Sequence, residues 1–358
     1  MRITNLKLLN FRKIQNFELS FDQDFVVLAG PNASGKTTIL ESIYYASLMQ
    51  AFPPGKTWEL IRFGEDYFRV AVQAKDLILE FYYGKKGEKR FERSQTVNGL
   101  RKKASGALGS YAVVTFLPQD LNLLQLSPSL RRDYLDEILL QTSHNYEQTL
   151  NEYARVLVQR NELLGLINSK RAAISELDFW DEKLAKSSSE ITSKRMELCE
   201  YINKNLSATY SRLAGEDLAC GFHYSAESKN GKQAAVYELL KNTRGEDVAS
   251  QRTGSGPHRD DWKILGLEGR NLSRFLSRGE QRSIISALKI LEIEYLKDCL
   301  KTDPVILLDE LLAELDGQRR DKIMENFPVR SQKFLTTTSV KELPKNILDN
   351  SQILEFSK

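Results

Sequence analysis

Gly30-Pro31-Asn32-Ala33-Ser34-Gly35-Lys36-Thr37 follows the apolar run Phe25-Val26-Val27-Leu28 and precedes Ile39-Leu40-Glu41-Ser42-Ile43-Tyr44-Tyr45. The first flank has strand character and the second the spacing of a helix, so strand, glycine-flanked loop and helix stand in the order of a P-loop. Small or φ-tolerant residues let successive backbone N–H groups face phosphate oxygens, and the following helix directs its positive end at the same anion. Lys36 then reaches the β and γ phosphates of ATP, Thr37 ligates Mg²⁺, and Thr38 continues the cradle. A surface turn that spells the same pattern is the competing reading, and the two flanks count against it.

The 358 residues are 41% hydrophobic and 28% charged, enough for one large core or two moderate ones. A formal charge of +3 is too mild to announce nucleic-acid binding, so any basic surface has to be argued locally. Cys199, Cys220 and Cys299 are scattered and lack C-x-x-C spacing, which fits a reducing compartment and argues against a zinc knuckle. No charged-then-apolar leader opens the chain and no apolar run nears the ~20 residues of a membrane span. A cytoplasmic protein without a membrane segment is expected.

Outward from the P-loop, residues 2–21 alternate as two strands around a turn at Arg12-Lys13. Beyond Pro53-Pro54-Gly55, short alternating runs at 67–72, 77–83 and 90–97 predict an antiparallel meander. Its surface gathers Lys85, Lys86, Arg93, Arg101, Lys102 and Lys103 with few acids. This is either a solvated hairpin edge or a patch that tracks DNA phosphates. Residues 111–116 form an apolar strand ending at Leu117-Pro118-Gln119-Asp120, and strand carboxyl ends are where ligands lie in open α/β sheets. From Arg131 the period becomes helical. Apolar positions from Tyr146 to Ile167 and from Leu177 to Ile202 predict two antiparallel helices of ~25 to 30 residues, either a coiled-coil arm on the order of 40 Å long or a bundle packed on the head. Strand character returns at 219–224, helix at 234–240, and a glycine-rich turn at 253–261 precedes a strand at 262–267.

Pro304-Val305-Ile306-Leu307-Leu308-Asp309-Glu310 is an apolar strand ending in two acids. Alone it is a core strand with a polar end; below a P-loop, Asp309 joins the Mg²⁺ shell and Glu310 polarises the attacking water. Leu276-Ser277-Arg278-Gly279-Glu280-Gln281-Arg282 opens an amphipathic helix. Taken by itself this is a capping box with Ser277 as N-cap and Glu280 at N3. Beside the other motifs it forms a second anion site, most economically one that grasps the nucleotide of a partner subunit.

Together these residues resemble the head of ABC-type ATPases: a P-loop, a glutamine loop at Gln119, an L-S-x-G-E-like signature, an acid pair and the loop Glu314-Leu315-Asp316, in that order. The helical insert narrows this to the SMC-like branch. The chain is most similar to the RecF family of bacterial recombination and replication-repair ATPases. The similarity lies at Leu8 to Arg12, Arg131-Arg132-Asp133-Tyr134-Leu135-Asp136, Gln159-Arg160-Asn161 with Leu163-Leu164, Trp180-Asp181, Thr253-Gly254 and Gly256-Pro257-His258-Arg259-Asp260-Asp261.

That resemblance implies a two-lobed α/β ATPase head, with a mixed sheet, an antiparallel meander and an inserted helical arm. It divides the chain into an N-terminal head part at 1–140, an arm at 141–215 and a C-terminal head part at 216–358. It implies weak, DNA-stimulated ATP hydrolysis with Mg²⁺, an ATP-dependent homodimer, binding to gapped duplex and single-strand/double-strand junctions, and work with RecR and RecO in loading RecA during DNA repair, replication restart and the SOS response. By position, Ser277, Arg278, Gly279 and Glu280 meet the γ-phosphate across the dimer, Asp316 links the two sites, Gln119 serves catalysis and the Mg²⁺ shell, and Arg12 approaches a phosphate. His258 stays open between a satisfied loop histidine and a DNA or nucleotide contact.

The chain also departs from the family pattern. Ala33 stands where glycine is usual, tolerable only with negative φ. Gln119 and Glu310 replace acids, Asp in the second case, and Thr336-Thr337-Thr338 occupy the place of the ABC switch histidine, which implies slow turnover. Among the rivals, a transporter ATPase fits poorly with the long insert between Lys36 and Ser277. An SMC-like nuclease lacks room after Asp316, and a non-hydrolysing DNA binder stays possible.

Overall fold

In a computed structural model of the chain, residues 2–52, 55–87, 90–102, 111–228, 231–266, 268–310 and 317–357 are described. The chain divides into two compact units, one of Met1–Asn122, Thr209–Asp217 and Arg278–Lys358, the other of Leu123–Ala208 and Leu218–Ser277. The boundaries expected near 140 and 215 do not coincide with this division.

In the first unit, β1 (Asn5–Phe11) and β2 (Ile14–Ser20) form the expected hairpin, and β3 (Phe25–Ala29) leads through the phosphate loop into α1 (Lys36–Leu48). The meander consists of β4 (Tyr67–Ala74), β5 (Leu77–Lys85), β6 (Phe91–Val97) and β7 (Leu100–Lys102). With the hairpin it makes an antiparallel sheet in the order β2-β1-β4-β5-β6-β7. Strand β4 reads Y-F-R-V-A-V-Q-A, and its alternate residues Phe68, Val70, Val72 and Ala74 are buried, as a sheet with one covered face requires.

The second sheet of this unit is parallel, with β13 (Gln352–Glu355), β3, β12 (Lys333–Thr337), β11 (Val305–Leu308) and β8 (Val113–Phe116) side by side in that order. Every residue of β8 and β11 is buried, which explains why both read as unbroken apolar runs. Strand β13 escaped the sequence reading because Gln352-Ile353-Leu354-Glu355 is short, polar at both ends and half exposed.

Helix α1 packs against β1, β4 and β5 of one sheet and β8 and β12 of the other. Eleven of its residues are buried, including Lys36, Glu41, Ser42 and Ser47, so a one-sided apolar stripe is not needed. Both of its buried serines are matched: Ser42 Oγ donates to the Ile39 carbonyl at 2.7 Å and Ser47 Oγ to the Tyr111 carbonyl at 2.8 Å. Tyr45 meets Phe68 edge-on at 4.9 Å, and Phe68 meets Phe11 the same way at 5.2 Å, fixing the helix to the meander. Also in this unit, α7 (Arg278–Leu300) packs on β8, and α8 (Gly317–Glu325) precedes β12.

The second unit holds α2 (Asn122–Gln125), which starts on the unit boundary, α3 (Pro128–Thr142), α4 (His144–Asn168), most of α5 (Leu177–Ala214), the hairpin of β9 (Cys220–Ser225) and β10 (Asp261–Gly266), and α6 (Gln233–Ser250). Helices α4 and α5 turn at residues 168–176, where Leu163, Leu164 and Leu177 form a small core under Trp180. Within this unit α4 packs on α3 and α6, and α3 packs on β10. No described helix is long and apolar enough to cross a membrane.

Candidate nucleotide site

Parallel register brings the carboxyl ends of four strands into one line. Thr337 pairs with Ala29, Leu335 with Leu308, and Leu308 with Phe116. The phosphate loop, Asp309-Glu310, Thr336 and the turn containing Gln119 therefore share one sheet edge, the position that favours ligands in such folds.

Within the loop, Gly30 donates its N–H to the Thr337 carbonyl at 3.1 Å, and a Cβ there would collide with the Phe356 carbonyl, so only glycine fits. Ala33 has φ 64, contrary to the expected negative value. The left-handed turn is imposed by the loop path, at about 1–2 kcal/mol for a residue with a Cβ. Gly35, with φ 110, caps α1, whose first-turn N–H groups have no intrahelical acceptor. Ser34 Oγ is buried and has no hydrogen-bond partner. An orphaned hydroxyl beside buried Lys36 and the N-terminus of α1 fits an anion held there.

Lys36 is 4% exposed and its Nζ donates to the carbonyls of Gly30 at 2.7 Å and Pro31 at 3.0 Å. Burial pulls its pKa below the ordinary lysine value; Glu310 and Asp309 oppose that shift and Lys13 adds to it. Thr37 Oγ1 lies 3.0 and 3.1 Å from the two carboxylate oxygens of Asp309. A hydroxyl and a carboxylate side by side next to a phosphate cradle are the all-oxygen donors that magnesium takes. Asp309 Oδ1 also accepts from Thr336 Oγ1 at 2.7 Å, and Thr336 Oγ1 accepts from the Glu310 N–H at 2.9 Å. Glu310 has φ 51, a strained conformation for a β-carbon residue at a candidate catalytic position.

The other candidate residues are distributed as follows. Gln119 is exposed in a 3₁₀ turn after β8. Arg12 Nε and Nη2 donate to both oxygens of Glu41 at 2.8 and 2.7 Å, and Nη1 to the Glu59 carbonyl at 3.1 Å. Ser277 ends the second unit, while Arg278, Gly279 and Glu280 begin α7 in the first, with Glu280 in its first turn. Asp316 and Lys103 lie outside the described residues. In the basic hairpin, Lys85 pairs with Asp66 at 2.8 Å and Lys86 with Glu92 at 3.1 Å. The pleat puts Arg93, opposite Tyr83, and Arg101, opposite Thr96, on different faces, and Lys102 stands opposite Gln95 in the ladder.

In the second unit the family-like motifs meet one another. Arg160, fully buried, donates to Asp181 and to Asp247 at 2.7 Å each and to Thr253 Oγ1 at 2.8 Å, and Asn161 Oδ1 accepts from the Thr253 N–H. Arg195 grips both oxygens of Asp136 at 2.8 Å and donates to the Pro257 carbonyl. Arg131 holds Asp261, and Arg132 donates to the Asp260 carbonyl. His258 is bonded through both ring nitrogens, to the Tyr153 hydroxyl and the Thr253 carbonyl. Stretches far apart in sequence thus build one buried polar scaffold around the 253–261 turn, a role sequence spacing could not assign.

Residues 5–248 match the AAA domain family. The chain is 32% identical to a DNA replication and repair protein RecF of Moorella thermoacetica, over 100% of this chain and 95% of that one. It is 33% identical to a RecF of Agathobacter rectalis, over 100% and 98%. A solved structure of the recombination mediator protein RecF with ATP superposes with a TM-score of 0.86 at 28% identity, over 96% of this chain and 93% of that one. An SMC head bound to the C-terminal winged helix of ScpA, at TM-score 0.53 and 16% identity, shares the fold.

Proposed function

The chain belongs to the RecF family of DNA replication and repair proteins, and from that premise we propose that it is an ATP-gated DNA clamp. The pairing of Thr37 Oγ1 with the Asp309 carboxylate, next to buried Lys36, carries this reading. It gathers an ammonium group able to bind phosphate and the oxygen ligands for Mg²⁺ at the mouth of an anion-binding loop.

ATP binds with its β and γ phosphates at Gly30–Thr37 and Lys36. Thr37 and Asp309, with Gln119, would hold the magnesium, which would neutralise charge on those phosphates. The base end lies toward a cleft of about 950 Å³ that runs from Thr38 past Arg12 to Trp58 and Phe63, two aromatics that stand exposed and can stack on a base. Ser277 and Gly279 of a second copy close over the γ-phosphate and Asp316 links the two sites, so ATP joins two subunits. Glu310 orients the attacking water. Turnover is slow because Thr336, not an imidazole, stands beside the acids.

Closure takes place on gapped or junction DNA, and with RecR and RecO it promotes RecA loading in recombinational repair and replication restart; hydrolysis reopens the dimer. Arg93 makes part of the DNA contact. Sedimentation with ATP, with and without gapped DNA, tests this function. ATP-dependent dimers that gapped DNA favours support the clamp; a monomer under every condition refutes it. In DNA titrations, Arg93→Glu lowers the salt slope by about 1 if Arg93 meets a phosphate. An unchanged slope moves the DNA site elsewhere.

A further inference from the structure

The β1–β2 turn delivers two neighbouring cations to the edge of the nucleotide site, and the fold treats them differently. Arg12 is spent on Glu41 in a bidentate pair whose carboxylate is 6% exposed. Lys13 has no ion pair or hydrogen bond among the described residues. Its stem lies on the phosphate loop itself: a Cβ built on Gly35 would sit 3.4 Å from Lys13 Cε and 4.0 Å from Nζ. Glycine at 35 is required by the φ of 110 at the helix cap, and the lysine side chain lies in van der Waals reach of that position.

Lys36 lies on the same loop, its Nζ on the Gly30 and Pro31 carbonyls, with Lys13 Cε beside Gly35. Two ammonium groups held beside one loop, with no carboxylate assigned to the first, are a charge arrangement that awaits an anion. Lys13 and Thr38 line the same cleft, and the exposed aromatics Trp58 and Phe63 stand along it. The order from Lys36 through Lys13 to the aromatics follows a nucleotide from its terminal phosphates toward its base.

Resting on the ATP site proposed above, we propose that Lys13 is a phosphate-binding residue that grips the sugar-proximal phosphate of a nucleoside di- or triphosphate, leaving Arg12 as a structural strut. A contact to that phosphate serves ATP and ADP alike. The Lys36 contact to the γ-phosphate serves only ATP.

The test is titration of the full chain with mant-ATP and mant-ADP in wild type, Lys13→Ala, Lys13→Arg and Lys36→Ala, with urea midpoints as a folding control. Loss of one charge-assisted contact predicts that Lys13→Ala weakens both nucleotides by about tenfold and leaves their ratio unchanged, while Lys13→Arg stays within about threefold. If Lys13→Ala binds both like wild type while Lys36→Ala fails to bind ATP, the assignment to Lys13 is overturned and the ATP site stands. Loss confined to mant-ATP also overturns it, placing Lys13 at the γ-phosphate. Wild type that binds neither nucleotide, or Lys36→Ala that binds like wild type, sinks the ATP site and this assignment with it.

Discussion

Thr336 Oγ1 donates to Asp309 Oδ1 at 2.7 Å, joining the strand that follows the nucleotide site in sequence to the acid that would hold its metal. The same oxygen accepts the Glu310 N–H at 2.9 Å. One hydroxyl thus orients the metal ligand and fixes the backbone of the proposed catalytic acid. Thr336→Val keeps the shape and removes both bonds, leaving the half-buried Glu310 amide and one lone pair of buried Asp309 unmatched. At about 1–3 kcal/mol for such a group, ATP turnover should fall about 10- to 100-fold, with a higher Mg²⁺ requirement and with recovery in Thr336→Ser. Equal Mg²⁺ dependence in Thr336→Val and wild type would show that Thr336 only fills space.

Glu310→Gln removes the carboxylate that would polarise water and leaves the oxygen ligands of Asp309 in place. ATP should then hold the protein dimeric, with hydrolysis reduced by at least about a hundredfold. Sedimentation velocity with ATP reads this directly. A monomer population equal to that without nucleotide would count against sites shared between two copies.

Arg160 is fully buried between Asp181 and Asp247, both also buried. Taking away one partner of a buried pair leaves charge uncompensated, so Asp247→Asn should cost about 3 kcal/mol in urea unfolding. Asp178, by contrast, pairs with Arg244 but is 58% exposed, and Asp178→Asn should cost less than about 1 kcal/mol. Similar losses from the two substitutions would mean that the cluster around the 253–261 turn is not the scaffold its burial implies.

Legibility followed contiguity. The phosphate loop and the acid pair put their chemistry in consecutive residues, so Lys36, Thr37 and Asp309 stand out as candidates in the sequence before any geometry. Thr336 was legible only as the place where a histidine is missing, because its partners come from β11 and its role from the parallel register of β11 with β12. Arg12 and Lys13 are adjacent in sequence, and only packing separates them: Glu41, on a helix buried all round, claims the first. The expectation of negative φ at Ala33 failed because it weighed the local cost of a Cβ without the path that β3 and α1 impose on the loop. The motifs around Asp136, Arg160, Asp181 and His258 read as separate resemblances until folding joined them.

His258 gives a pH signature to that scaffold. A carbonyl only accepts, so Nε2 carries the hydrogen given to Thr253, and Nδ1 accepts from the Tyr153 hydroxyl; the ring is neutral. Burial lowers its pKa below the usual histidine value; the Thr253 carbonyl pulls upward, Arg259 and Arg132 push further down, and Asp247 opposes them. The unfolded chain, with a pKa of about 6.5, therefore takes up a proton that the folded chain refuses. The stability contributed by neutral His258 is full above that value and is lost as pH falls below it, until the folded imidazole itself protonates. His258→Gln keeps one donor and one acceptor and cannot titrate, so its urea stability should fall less than that of wild type between pH 7.5 and about pH 5. Parallel curves for the two proteins would show that the folded state binds the proton as readily as the unfolded one, and that the Tyr153–His258–Thr253 chain does not depend on a neutral ring.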